Sequence, residues 1–287
     1  MSGTASAWCN AVVSASDPTS DPSPGLLADP GRLLAEPGRR LADTLRAALA
    51  AGADPVRAAG QQRYMKSAMP YLGLTMSQVR LVVRTVATDH PLPDRPGWLA
   101  TITTIWEDAS HREHRYAAIG VLRHRRYRAW VVPDEALLGL LRHLVTTGAW
   151  WDLVDELSHV AGDLLASERA TMTAVLRDWS REPDLWLRRV SIIAQLGARG
   201  ATDVDLLRYA IEGSIADPDF FARKAIGWAL REYSKTDEAW VRGYVGANAG
   251  RLSPLSAREA LKWLDRRPAG AGSISEDGTP LSSPSAR

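Results

Sequence analysis

The chain has 287 residues, 45% of them hydrophobic and 24% charged, which excludes a collagen-like chain, wholesale disorder and a membrane bundle. Its formal net charge of +2 is unevenly placed: setting aside residues 1–37 and 268–287 leaves 33 bases against 27 acids, a balance of +6 that permits a polyanionic partner without requiring one. One cysteine, Cys9, excludes an internal disulfide and a Cys-based zinc site.

Residues 1–37 are read as a flexible extension, rich in Ser, Pro, Asp and Gly from Asp17 to Gly25. Met1–Cys9 carries no basic residue, so no secretory signal is expected and the cytosol is the expected compartment. From 38 to 267 the apolar residues recur with a period near 3.6, broken by short Pro, Gly or Asp punctuation. The pattern predicts helices over 38–51, 55–66, 76–88, 94–108, 111–128, 134–146, 150–165, 169–180, 184–196, 202–215, 219–233, 236–247 and 254–266. Thr75 with Gln78 reads as a capping box, and Asp134 and Asp184 place acids at helix starts. Short loops between such helices imply successive antiparallel pairs. No strict repeat is visible, so a solenoid of such pairs must be degenerate. Residues 268–287 read as a second flexible tail.

Three helices hold residues that break the amphipathic pattern. Over 150–165, Trp150, Leu153, Val154, Leu157, Val160, Ala161, Leu164 and Leu165 form one apolar stripe. Trp151 falls beyond its edge, and Asp155 sits one turn above Trp151. Over 221–233 the apolar arc runs through Ala222, Ala225, Ile226, Ala229, Leu230 and Tyr233, while Trp228 lies on the far side between Lys224 and Arg231. Over 185–196, Arg188, Ser191 and Gln195 share the polar side, but Arg189 falls among apolar neighbours. Each has an ordinary structural reading: a half-exposed Trp beside a solvated carboxylate, an intrahelical cation–π contact, and a buried ion pair with a nearby acid. Each also has a nucleic-acid reading, with cations for phosphate and rings for sugar or base. The basic run from His111 to Arg128 and the step at Tyr64 and Lys66 read either as solvated faces or as phosphate contacts. His111 and His114 lack a third ligand nearby, so no metal site is expected. No phosphate-loop, dinucleotide, metalloprotease or serine-hydrolase motif is present.

Taken together, these segments resemble the AlkD family of alkylpurine DNA glycosylases. The matching stretches are Gln61–Leu74, Arg112-Glu113 with Tyr116-Ala117-Ala118, Trp150-Trp151-Asp152-Leu153-Val154-Asp155, Trp186-Leu187-Arg188-Arg189, Phe220-Phe221 with Lys224–Thr236, and Leu252–Ser256 with Arg258-Glu259-Ala260. They span about 40–267 and occur in the family's order. The resemblance implies an all-α fold of HEAT-like helical repeats, a solenoid with a concave DNA-binding face. It implies Asp155 as the catalytic carboxylate, Trp151 and Trp228 as its aromatic partners, and Arg189 as a phosphate contact. Lys224, Arg231, Tyr64 and Lys66 are further DNA-binding candidates. The implied reaction is removal of cationic N3- or N7-alkylated purines from double-stranded DNA without drawing the base into a pocket. No cofactor and no metal is expected, the partner is DNA containing alkylated bases, and the protein is expected to be a monomer that does not engage a membrane. The resemblance leaves open a housekeeping enzyme or one tuned to bulky adducts for self-resistance. A non-catalytic HEAT-like scaffold on distorted DNA is the alternative from another class. Residues 1–37 and 268–287 lie outside the resemblance, and Ser158-His159 follows the catalytic motif where the family implies no role.

Overall fold

The computed structural model describes Leu34–Arg266. Most of the expected N-terminal extension, the whole C-terminal tail and Cys9 lie outside the described residues. Among the described residues there are thirteen α-helices and no strand. In chain order they are α1 (Glu36–Ala51), α2 (Pro55–Met65), α3 (Met76–Asp89), α4 (Arg95–Glu107), α5 (Arg112–Leu122), α6 (Glu135–Gly148), α7 (Trp151–Ser167), α8 (Arg169–Trp179), α9 (Leu185–Ile193), α10 (Val204–Glu212), α11 (Phe220–Tyr233), α12 (Glu238–Ala247) and α13 (Pro254–Leu261).

Local chemistry explains most of the starts. Asp54, Asp94, Asp134, Asp184, Asp203, Asp219 and Asp237 each cap a helix by accepting from backbone N–H groups of its first turn. Thr75 and Gln78 form the full reciprocal capping box. Pro55, Pro254 and Pro96 occupy first-turn positions, where a missing N–H is harmless.

One predicted helix is two elements. The segment 111–128 ends its α-helix at Leu122 and resumes as a 3-10 turn over Arg125–Trp130. His124 between them is extended, and its ring accepts from Arg126 N–H, an internal cap that breaks the helical ladder. The turn delivers Tyr127 into the core, where its hydroxyl accepts from Leu92 N–H at 3.1 Å.

The helices pack by alternation. α1 lies on α3, α3 on α5, α5 on α7, α7 on α9, α9 on α11 and α11 on α13. In the other row, α4 packs on α6 and α8 on α10. Helices of the odd row run parallel where their contacts fix direction. Asp155, early in α7, meets Arg189, midway along α9; a Cβ on Gly162, late in α7, would lie 2.3 Å from Ala194 O just past the end of α9. This is the architecture of a helical-repeat stack, each unit leaving an apolar face for its neighbour to cover.

Two cores run through the stack. One extends from Leu41 to Leu206, the other from Ile192 to Ala260, and α9 feeds both. Much of the tryptophan excess is structural. Trp98 and Trp106 are fully buried, and their indole N–H groups donate to Val121 O at 3.3 Å and Thr147 Oγ1 at 2.9 Å. Trp130 stacks on Tyr127, Trp240 stacks on Tyr244, and Trp179 is buried.

Candidate active site

The catalytic candidates fall on the odd row. Trp150 precedes α7 in an extended conformation and makes no side-chain cap; α7 opens at Trp151. The Trp150 ring lies 6.2 Å from that of Trp186 on α9 and 5.2 Å from that of Phe221 on α11, and the last two are 5.1 Å apart. This triad ties α7, α9 and α11 together at their N-terminal ends and sets where Asp155 points. The parallel N-terminal ends also carry the positive poles of three helix dipoles, a favourable setting for a polyanion.

Asp155 is largely buried, with its carboxylate held by Arg189. Arg189 Nε donates to Oδ1 at 2.7 Å and Nη2 donates to Oδ2 at 2.9 Å. Arg189 Nη1 donates to Phe221 O at 2.9 Å, so one guanidinium links three helices. The Arg189 side chain is only 4% exposed. The arginine set aside on the helical wheel is thus engaged by a carboxylate, as its apolar surroundings require. Burial raises the Asp155 pKa above the ordinary carboxylate value; the hydrogen bonds and charge of Arg189 pull it partly back, and neighbouring Asp152 adds to the rise. Each oxygen gives Arg189 one lone-pair site and keeps another for a water or a developing cation.

Trp151 and Trp228 are both half-buried. Trp151 packs on the first core one turn from Asp155, and Trp228 packs on the second. Lys224 and Arg231 do not stand free beside Trp228. Both pair with Glu259 of α13, Lys224 Nζ at 2.6 Å from Oε2 and Arg231 on Oε1. Tyr64 is 77% exposed at the end of α2, and Lys66 is exposed in a left-handed cap, φ 49°.

The basic run from His111 to Arg128 is divided: Arg123, Arg125, Arg126 and Arg128 are exposed, whereas its first turn is not. Arg112, Glu113 and His114 are buried. Burial, with help from His111 and Arg46, lowers the His114 pKa to about 4, so its ring is neutral near pH 7. Arg112 pairs with both oxygens of Asp152, its Nε at 3.0 Å from Oδ2. Tyr116 also donates to Asp152, and its own hydroxyl lies 3.2 Å from that of Tyr71. Burial and the Asp152 charge raise the Tyr116 pKa, keeping the phenol protonated. Glu113 accepts from Leu72, Gly73 and Leu74 N–H at 2.9, 2.8 and 3.1 Å. Sequence reasoning gave Glu113, Tyr116, Asp152 and Glu259 no role and read Arg112, within the basic run, as a solvated or phosphate-facing residue. Glu113 carried a readable signal: it shares the arc of Ala117 and Val121, where an unpartnered acid is untenable.

A family model described as DNA alkylation repair enzyme matches residues 45–264. The chain belongs to the DNA alkylation repair enzyme family. A solved structure described as a predicted DNA alkylation repair enzyme from Enterococcus faecalis is similar to it, with 28% identity, a TM-score of 0.67, and coverage of 75% of this chain and 98% of that one. No curated protein matches the chain. For a DNA alkylation repair enzyme the substrate is DNA, and the all-helical repeat fold accords with the family. Among the described residues, no helix is long and apolar enough to cross a membrane. Asp155 and Arg189 stand within the matched span, Asp155 on α7 of the first core and Arg189 on α9, which feeds both cores.

Proposed function

We propose that this DNA alkylation repair enzyme is a monofunctional glycosylase. It hydrolyses the N-glycosidic bond of cationic N3- or N7-alkylated purines in duplex DNA and leaves an abasic site. The observation that carries this reading is Asp155: a largely buried carboxylate one turn from a half-buried Trp, oriented by a bidentate arginine. An alkylated purine is already cationic, so it leaves with the bonding electron pair and needs no strong acid. Positive charge then develops on the sugar at C1′. A carboxylate in a poorly solvated site stabilises that charge far better than one in water. Water adds its oxygen to C1′, and its proton passes to Asp155 or to solvent. The indole faces of Trp151 and Trp228 contact the deoxyribose and favour its cationic form.

Phosphates are the natural contacts for Tyr64, Lys66, Lys224 and Arg231. Arg189 reaches a phosphate only by extending the network it already makes, since its Nη groups retain N–H bonds beyond those used. Excision without base capture fits the cavities. One cavity is lined by Ile192, Leu196, Ala229 and Tyr233 and one by Arg177, Arg208 and Tyr209; neither includes Asp155, Trp151 or Trp228. Such a mode tolerates bulky adducts, the chemistry of a self-resistance enzyme. The test is release of 7-methylguanine from duplex DNA by the purified protein and by Asp155→Asn. Binding of lesion DNA without release by the wild type would leave the scaffold reading in its place.

A further inference from the structure

The odd row accounts for the proposed chemistry, yet the most unusual charge arrangement lies in the even row. Arg177 of α8 and Arg181, one turn further on, both lie against the ring of Tyr209 of α10. Their guanidinium carbons are 4.5 and 4.4 Å from its centroid. Like charges one turn apart repel, and flexible surface arginines ordinarily separate. Here both converge on one ring, whose negative face offsets part of the repulsion.

Both arginines are exposed, and among the described residues neither has a carboxylate within ion-pair distance. The local acids are already engaged. Arg251 holds Glu212 through both oxygens, with Nη1 at 3.0 Å from Oε1, and Arg208 holds Asp205 at 2.9 Å. Arg177, Arg181, Arg208, Tyr209, Asp205 and Glu212 line one open cleft of about 440 Å³. Contact with one ring gathers the two guanidinium groups at the cleft, where the Arg181 charge also acts on Glu212. Two converging arginine forks in an open cleft match the oxygens of a phosphate group.

We propose that this cleft is a second phosphate-binding site, taking the backbone of duplex DNA that flanks the lesion. The proposal rests on the DNA-binding reading of the family but not on Asp155 chemistry. α8 and α10 both pack on α9, the helix that carries Arg189. The cleft therefore stands one helix from the candidate active site. Tyr209 acts as the platform that aligns the two forks.

The experiment compares the full-length wild type with Arg177→Gln/Arg181→Gln. Affinity for an undamaged duplex is measured across a salt series, and inorganic phosphate is titrated separately by NMR. The double variant is expected to weaken duplex binding and to lower the slope of log K against log salt by about one, for the one phosphate no longer neutralised. An unchanged duplex slope with loss of inorganic phosphate binding would overturn the DNA assignment and give the cleft to a free phosphate compound. Unchanged behaviour toward both would overturn the site altogether. Failure of the glycosylase reading appears separately, as absence of base release by the wild type.

Discussion

Arg189 and Asp155, 34 residues apart, form a buried bidentate pair that joins α7 to α9 and, through Phe221 O, to α11. The carboxylate proposed for chemistry is therefore placed by a contact that ties three neighbouring helices together. Positioning and electrostatics cannot be separated at this residue pair.

The pair fixes a pH dependence. Burial raises the Asp155 pKa and Arg189 opposes the rise. In the proposed mechanism the active form is the carboxylate, so base release is expected to fall as pH drops through that raised pKa, above the ordinary carboxylate value. Arg189→Gln removes the opposing charge, and the acid limb of the single-turnover rate profile is expected to move to higher pH. The same variant leaves Asp155 buried without a full partner and is expected to lose about 3 kcal/mol of stability, read by chemical denaturation. An acid limb that stays in place would contradict the coupling.

Asp152 anchors the first turn of α7. Asp152→Asn leaves the buried Arg112 without a counter-charge, and the expected loss is about 3–5 kcal/mol. Tyr116→Phe removes one hydrogen bond to the same carboxylate, with an expected loss of about 1–2 kcal/mol. Urea unfolding of both variants checks the ranking, and equal losses would contradict it.

α11 and α13 approach closely at Gly227. A Cβ there would lie 2.5 Å from Glu259 Cβ and 2.9 Å from Ser256 O. Gly227→Ala is expected to destabilise by about 1–3 kcal/mol, displacing the residue that holds Lys224 and Arg231. Gly243 in α12 has nothing within 4 Å of its would-be Cβ, so Gly243→Ala is expected to stabilise by about 0.5–1 kcal/mol. Thermal melts of the two variants should move in opposite directions.

The all-α class and every helix were legible because periodicity and Asp caps are local signals. The site was legible in part: the wheels isolated Trp151, Asp155, Arg189 and Trp228 because each departs from its helix's own apolar pattern. Their partners were not legible. Arg112 with Asp152, Arg189 with Asp155, and Lys224 with Glu259 pair across 34 to 40 residues, and which odd helix faces which is a property of the stack. The break at Arg123-His124 was hidden because no Pro or Gly marks it; the His124 cap is local, but the burial of Tyr127 that goes with it is tertiary. The N-terminal boundary moved slightly for a local reason: α1 begins at Glu36, with Pro37 suited to its first turn.

The central claim is that Asp155 stabilises a sugar cation while an alkylated purine departs. The most direct test is the single-turnover rate of 7-methylguanine release from a defined duplex, with wild type and Asp155→Asn both at saturating concentration. The account predicts release by the wild type without heating, and a loss of about 10²–10³-fold in the variant, with lesion-DNA binding largely retained. Release by the variant at the wild-type rate would contradict it.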